Sequence, residues 1–274
     1  MAKFIKDMKK FYKYIGFSAK SSLKSEVAGS YLGWLWWVLE PVLFTIVYWF
    51  IYTIIFNKSG QYMTLYIIIG ITLWDFFNKN VMQSVKIVAS NKSIVTKVYI
   101  PKYALIFTQM LVLAFKMAVS FGIIIVLMIY YKVHLTIYAL WVIPVFITLF
   151  LVTFGFSAII AHFGVFVEDL RNVINVVLRV VFYMSGVFYK LDMVPEPFRT
   201  ILGKCNPMAF LMTSMRNCLI YSSNVGYKVL AAWFVVGLLM TVGGIKLIYK
   251  YENSYIKAVS YTHLRAHETT LHLV

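Results

Sequence analysis

Residues 103–131 read YALIFTQMLVLAFKMAVSFGIIIVLMIYY, twenty-nine residues whose one charge is Lys116. A hydrocarbon layer of ~30 Å needs about twenty apolar residues of helix. The stretch therefore predicts a membrane span with length left over for tilt. Outward from it, apolar runs near 34–56, 62–82, 136–163, 172–189 and 229–250 bring the expected number of spans to six. Runs of this kind exclude a membrane β-barrel, whose strands alternate over about ten residues. Composition agrees: 61% of the 274 residues are hydrophobic and 13% are charged, against about 45–50% and about 25% in soluble domains. The expected fold class is an all-α membrane protein. The first run begins near Trp34 after a long basic segment and no small-residue cleavage site follows, so no secretory signal is expected.

The formal net charge is +16. The positive residues cluster at the ends of the apolar runs, which points to topology and anionic lipid and not to nucleic acid. With the N-terminus inside, sixteen basic residues fall on the cytoplasmic side and seven on the outer side. The positive-inside rule then places both termini in the cytoplasm. Phe4, Ile5, Met8, Phe11, Tyr12 and Ile15 form an apolar stripe over 3–15, opposite Lys3, Lys6, Lys9, Lys10 and Lys13. That pattern predicts an amphipathic interfacial helix. Two connections exceed simple turns. One is cytoplasmic, about 83–102, and ends at Pro101. The other is outer, about 190–228, and its Met208–Leu219 stretch is expected to be re-entrant or interfacial. Cys205 and Cys218 leave a disulfide open.

No repeat or soluble domain separates within the chain, so 1–257 is expected to form one transmembrane domain. Residues 259–269, VSYTHLRAHET, look like an in-frame translation of a sequencing adapter, so 258–274 is expected to be a non-native tail. The tail holds three of the five histidines, leaving His134 and His162, too few for a histidine-based metal site.

No nucleotide-binding G-x-x-x-x-G-K-[ST] loop, H-E-x-x-H, G-x-S-x-G or C-x-x-C occurs. The adjacent acids Glu168 and Asp169 project about 100° apart on a helix and do not form an acid/base pair on one face. An enzyme is not expected, and energy for active transport must come from a partner or an ion gradient. Mid-span charges that could serve a gradient are Glu40, Asp75, Lys116 and Arg179. Glu40 and Asp75 lie near predicted span ends, within reach of headgroups. Lys116 lies deep, where it must snorkel or pair in the bundle.

Residues 29–41, GSYLGWLWWVLEP, carry a more specific signal. Ser30, Leu32, Gly33, Leu35, Trp36, Leu39 and Pro41 match the pattern S-x-L-G-x-L-W-x-x-L-x-P. It resembles the start of the first span in ABC-2-type permeases of the polysaccharide, O-antigen and teichoic acid export family. Glu40 departs from that pattern, where Asn is more usual. Residues 70–77, GITLWDFF, and 91–101, NKSIVTKVYIP, resemble further motifs of the family. So do 166–171, FVEDLR, with Glu168 for the usual Arg, and 183–189, YMSGVFY, with Gly186 for the usual Pro. Asn206-Pro207 and Arg216 match the family's outer segment. The resemblance covers about residues 20–250.

That resemblance implies a homodimer in the bacterial plasma membrane, joined to two copies of a cytoplasmic ATPase that supplies ATP and Mg chemistry; this chain holds no cofactor. The cargo implied is a lipid-linked glycan or teichoic-acid-like polymer. Aromatic faces suit a sliding polymer, which makes Trp34, Trp36, Trp37, Phe182, Tyr183 and Tyr189 candidates for a translocation path or gate. They are equally candidates for an interfacial anchoring belt among membrane lipids. Glu40, Asn206 and Pro207 join the candidate path. Asn91, Lys92, Lys97, Pro101, Glu168, Asp169 and Arg171 are candidates for ATPase coupling through short docking segments. Two other readings stand beside this one: an ABC-2 permease for a drug, haem or lipid, and a membrane glycan-processing enzyme or scaffold.

Overall fold

The computed structural model describes residues 2–29, 31–58 and 60–255, and every regular element among them is helical. The expected non-native tail lies outside the described residues.

Helix α1, Ala2–Ala28, is twice as long as the amphipathic stripe suggested. Helix α2, Trp36–Phe50, begins after a 3-10 turn at Gly33–Leu35 and runs on into a π-helical turn at Ile51–Ile55. Pro41 lies inside α2, and Thr45 Oγ1 donates to the Pro41 carbonyl at 2.6 Å. Helix α3 is Met63–Ser84, and the short turns α4, Ile87–Ser90, and α5, Lys92–Val95, lead to α6, Lys102–Tyr130. Helix α7, Val142–Phe166, follows a 3-10 turn at Ile137–Trp141. Helix α8 is Leu170–Met184; α9, Phe198–Cys205, and α10, Pro207–Arg216, precede α11, Tyr227–Lys250.

Four of these stretches are long and apolar enough to cross a membrane: Gly33–Ile55, Lys102–Tyr130, Ile137–Phe166 and Tyr227–Lys250. They coincide with four of the six expected spans. The second expected span is α3, which has the length but carries Asp75, Asn78, Lys79 and Asn80 in its second half. It tolerates them because it forms the centre of the bundle. Leu65 to Leu73 are almost wholly buried by α2, α6, α7, α8 and α10. The fifth, expected over 172–189, is shorter. Helix α8 covers fifteen residues, about 23 Å at the helical rise. Gly186 ends it, at φ +65 one residue past the Ser185 cap, a left-handed position that favours glycine.

The tightest helix pair is α7 with α11. A Cβ on Gly244 would lie 2.6 Å from that of Ala158, and one on Gly155 would lie 2.6 Å from that of Met240. Small residues let the backbones close up where lipid supplies no hydrophobic drive for association. Thr241 Oγ1 then donates across the pair to the Leu151 carbonyl at 3.0 Å.

Helix α1 runs alongside α6 in the same sense, since Phe4 meets Tyr103 at one end and Glu26 meets Lys116 further along both. The start of α1 also meets the end of α11, where the Tyr249 hydroxyl donates to Asp7 at 2.7 Å. These contacts put Phe4 of α1 and Tyr249 of α11 at one end of the bundle.

The 190–228 connection folds into α9 and α10, and α10 is buried in the bundle, not laid on its surface. The two cysteines are free thiols, Cys205 exposed and Cys218 buried.

Candidate functional site

Three helices, α2, α3 and α8, frame an open groove of about 520 Å3. Amphipathicity sets its character. Asn172, Asn175 and Arg179 recur at the helical period along one exposed face of α8. Asn175, Arg179, Phe182 and Tyr183 line the groove from α8, with Phe44 and Tyr48 from α2 and Trp74, Asp75 and Asn78 from α3. The rings form a continuous wall. Tyr48 stacks on Phe188 with centroids 5.2 Å apart, Phe182 lies 5.4 Å from Trp74 and 5.8 Å from Tyr48, and Tyr183 lies 5.3 Å from Phe182. Arg179 makes no ion pair among the described residues. An uncovered guanidinium at this depth belongs beside water or polar ligand, since lipid contact would be costly.

A second, smaller cavity of about 290 Å3 lies behind α2, between it, α3, α6 and the end of α1. Trp36, Trp37 and Glu40 line this cavity and not the groove. The charges that seemed isolated in sequence converge here. Lys79 Nζ is 2.8 Å from Glu40 and 3.2 Å from Asp75, while Lys116 pairs with Glu26. Glu40 and Asp75 thus have protein partners and do not depend on headgroups, and Lys116 pairs in the bundle beside the Trp37 ring. Lys79 is four residues from Asp75 on α3, a pairing that helical spacing could have shown, whereas the Glu40–Lys79 and Glu26–Lys116 pairs join different helices and leave no such trace.

Toward the start of α3 lies a buried knot. Arg216, 1% exposed, donates to the carbonyls of Tyr66 at 3.0 Å, Gly186 at 2.9 Å and Val187 at 2.8 Å. Its guanidinium carbon lies 3.4 Å from the centre of the Tyr66 ring. Gly70 leaves room for it, because a Cβ there would collide with the guanidinium. Asn206 Oδ1 caps α10 by accepting from the Met208 and Ala209 amides, and Nδ2 donates to Ser185 at 2.9 Å. Pro207 occupies the first helical position, which needs no amide donor. Asn206 and Pro207 therefore face an apolar cavity between α3, α7, α8 and α9 and do not reach the aromatic groove. Tyr189 donates to the Tyr183 carbonyl at 2.8 Å, fixing the turn after α8. Trp34 is exposed and lines none of these cavities.

The candidate coupling residues split into two groups. Asn91 and Arg171 line one cavity at the end of the bundle where α3 ends and α6 starts. Lys97, Glu168 and Asp169 are exposed outside it, with Lys92 partly so. Pro101 is buried at the start of α6. The 85–102 segment is pinned at one end to α7 and at the other to the residues that follow α11. Gly164 of α7 lets the Val85 backbone close in, where any Cβ would collide with it. Glu252 accepts from Tyr99 at 3.2 Å and from the buried Lys102 at 3.4 Å. Partial burial, and then the Glu252 carboxylate, push the Tyr99 phenol up to about 12, so it remains a donor. Glu252 carried no signal in sequence. His162 meets the Tyr255 hydroxyl at 2.8 Å, and no group of metal ligands gathers among the described residues.

A family model described as ABC-2 type transporter matches residues 15–220. Two O-antigen export system permease proteins RfbA of Klebsiella pneumoniae are each 26% identical over 229 residues, 83% of this chain and 88% of theirs. The O-antigen export system permease protein RfbA of Myxococcus xanthus is 26% identical over 218 residues, 77% of this chain and 82% of its own.

Proposed function

The chain belongs to the ABC-2 type transporter family, as a multi-pass membrane subunit without a catalytic domain, and from that premise we propose that it exports a lipid-linked polysaccharide or teichoic-acid-like polymer. The observation that carries this reading is the groove between α2, α3 and α8. Its aromatic wall offers stacking faces to sugar rings, and its amides and guanidinium offer hydrogen bonds to hydroxyls. The groove is open along the helices, a shape that suits an extended polymer. The likeness to O-antigen permeases supports the same cargo class.

In this reading six helices span the bacterial cytoplasmic membrane, with α3 and α8 as the second and fifth and with both termini inside. Helix α10 is the core of an outer re-entrant segment. Two copies bring their grooves together, and two copies of a separate ATPase dock on 91–101 and 168–171. ATP and Mg belong to that ATPase. Trp36, Trp37 and Glu40 act behind α2 as a gate, and Phe182, Tyr183 and Tyr48 line the path.

The test uses the chain co-expressed with its ATPase in its own host, scored by surface polymer and by ATP hydrolysis in isolated membranes. Loss of the permease should leave lipid-linked polymer inside the cell. Normal surface polymer with altered drug efflux would favour the drug reading. Asp169→Lys should keep membrane insertion and ATP hydrolysis while surface polymer falls. Unchanged polymer in that variant would remove the coupling role of the segment around Asp169.

A further inference from the structure

The cavity that holds Asn91 and Arg171 measures about 510 Å3 and lies between α1, the end of α3, α4, α6 and the start of α8. Its charges are of one sign. Lys86 and Arg171 line it, no carboxylate does, and neither cation makes an ion pair among the described residues. Its hydroxyls and amides divide by use. Ser90, Asn91, Thr108 and Gln109 donate to backbone carbonyls and so act as wall. Ser18 and Ser22, one turn apart on α1, make no side-chain hydrogen bond among the described residues and line the same space as the two cations.

Of the remaining lining, Gln83 adds one more amide and Met82, Ile87, Leu105 and Val112 are apolar. From Val112 the floor continues onto the flank of α6, where Leu111 and Phe115 are exposed. Two unneutralised cations and two hydroxyls therefore stand over an apolar floor bordered by exposed apolar side chains of α6. That combination recognises an amphiphile with an anionic head, because Arg and Lys bind phosphate oxygens through charge-assisted hydrogen bonds. An acidic side chain from a protein partner would meet the cations but would leave the apolar floor unfilled. A volume within roughly 300–1,000 Å3 suits a headgroup with its first carbons.

We propose that this cavity is a binding site for the phosphate headgroup of an anionic membrane phospholipid, with Lys86 and Arg171 on the phosphate and Ser18 and Ser22 as hydroxyl donors. Basic pockets between spans on the cytoplasmic side hold such headgroups. The bound lipid joins α1 to the end of α3 and the start of α8, three elements whose residues line the cavity together. Within the docking segment 168–171, Arg171 turns to the cavity and its lipid while the exposed Asp169 meets the ATPase. The inference rests on the membrane reading with this end cytoplasmic. It needs neither the exported cargo nor the ATPase.

The experiment uses the full chain without its ATPase, in nanodiscs of phosphatidylcholine containing dioleoyl phosphatidylglycerol. Phosphatidylglycerol retained per chain after detergent exchange is counted by mass spectrometry. The wild type should retain it, and Lys86→Gln with Arg171→Gln should weaken retention by roughly thirtyfold, about fivefold for each basic side chain. Arg171→Lys, which keeps the charge, should stay within about fivefold of wild type. Lys246→Gln, a cation outside the cavity, should change nothing. Equal retention by the double variant would overturn the proposal. Displacement of the lipid by inorganic phosphate alone would overturn the lipid as occupant in favour of a free anion. Loss of monodispersity in the double variant would shift the decision to Ser18→Ala with Ser22→Ala, which should retain less lipid than wild type at unchanged melting temperature; equal retention there would also overturn the site.

Discussion

Two cations in the bundle interior are held in opposite ways. Arg216 is fully buried without a carboxylate, on three backbone carbonyls and the face of a tyrosine. Lys79 is about a third exposed and is shared by two carboxylates, one on its own helix and one on α2. Backbone carbonyls at a helix end and a turn cannot rotate away, so the Arg216 knot has one arrangement. The carboxylates around Lys79 sit on side-chain rotors, so Lys79 can keep Asp75 while Glu40 leaves. One region is held by fixed backbone groups, and the other by side chains that can turn.

The difference can be broken most directly at Arg216. Arg216→Met should leave the Gly186 and Val187 carbonyls unsatisfied at about 1–3 kcal/mol each and a void beside Tyr66, enough to lose the folded protein. Gly70→Ala should do the same by steric means. Fluorescence-detected size exclusion in mild detergent is the measurement, and a monodisperse Arg216→Met peak would show that the knot is not structural. Glu40→Gln should act in the contrary sense. Its stability should change by no more than about 1 kcal/mol, because the pair is partly exposed. Surface polymer and substrate-free ATP hydrolysis should change clearly, reflecting a freed α2. A Glu40→Gln variant that unfolds like Arg216→Met would erase the distinction.

The smallest effect is expected at the start of α9, where Arg199, then Thr200, hydrogen-bond Glu196 and hold its carboxyl below the usual carboxylate range. Because the folded value is depressed, the contact contributes above the ordinary carboxylate pKa and is lost as pH falls through the lowered value. Amide protection over 198–201, taken relative to the intrinsic exchange rate at each pH, should stay constant from neutral pH through the ordinary carboxylate range and fall only below it. A fall already at the ordinary value would show the carboxyl to be unperturbed.

Much of this was readable from single helices. The stretch 103–131 became α6 within a residue at each end, because uninterrupted apolar sequence has few alternatives in a bilayer. The motif at Asn206-Pro207 marked a real helix start, since a cap is a local event between neighbours in sequence. The groove was half legible. Phe182 and Tyr183 were candidates from their motif, and the polar stripe Asn172, Asn175, Arg179 could have been found by its period. Trp36, Trp37 and Glu40 went to a different cavity, because rotation of α2 about its axis leaves no trace in a helix that is apolar almost all round.

By itself the sequence determined that the chain is helical, that it belongs in a membrane and which runs of residues form its long helices. These properties follow from run length, period and charge placement, all written along one dimension. Tertiary structure alone decided the partners of the charges. Lys79 with Glu40, Lys116 with Glu26, Lys102 with Glu252 and Arg216 with the Tyr66 carbonyl join residues 39 to 150 positions apart. Each such contact depends on the rotation and crossing of two packed helices, and those are fixed by side chains filling space in three dimensions.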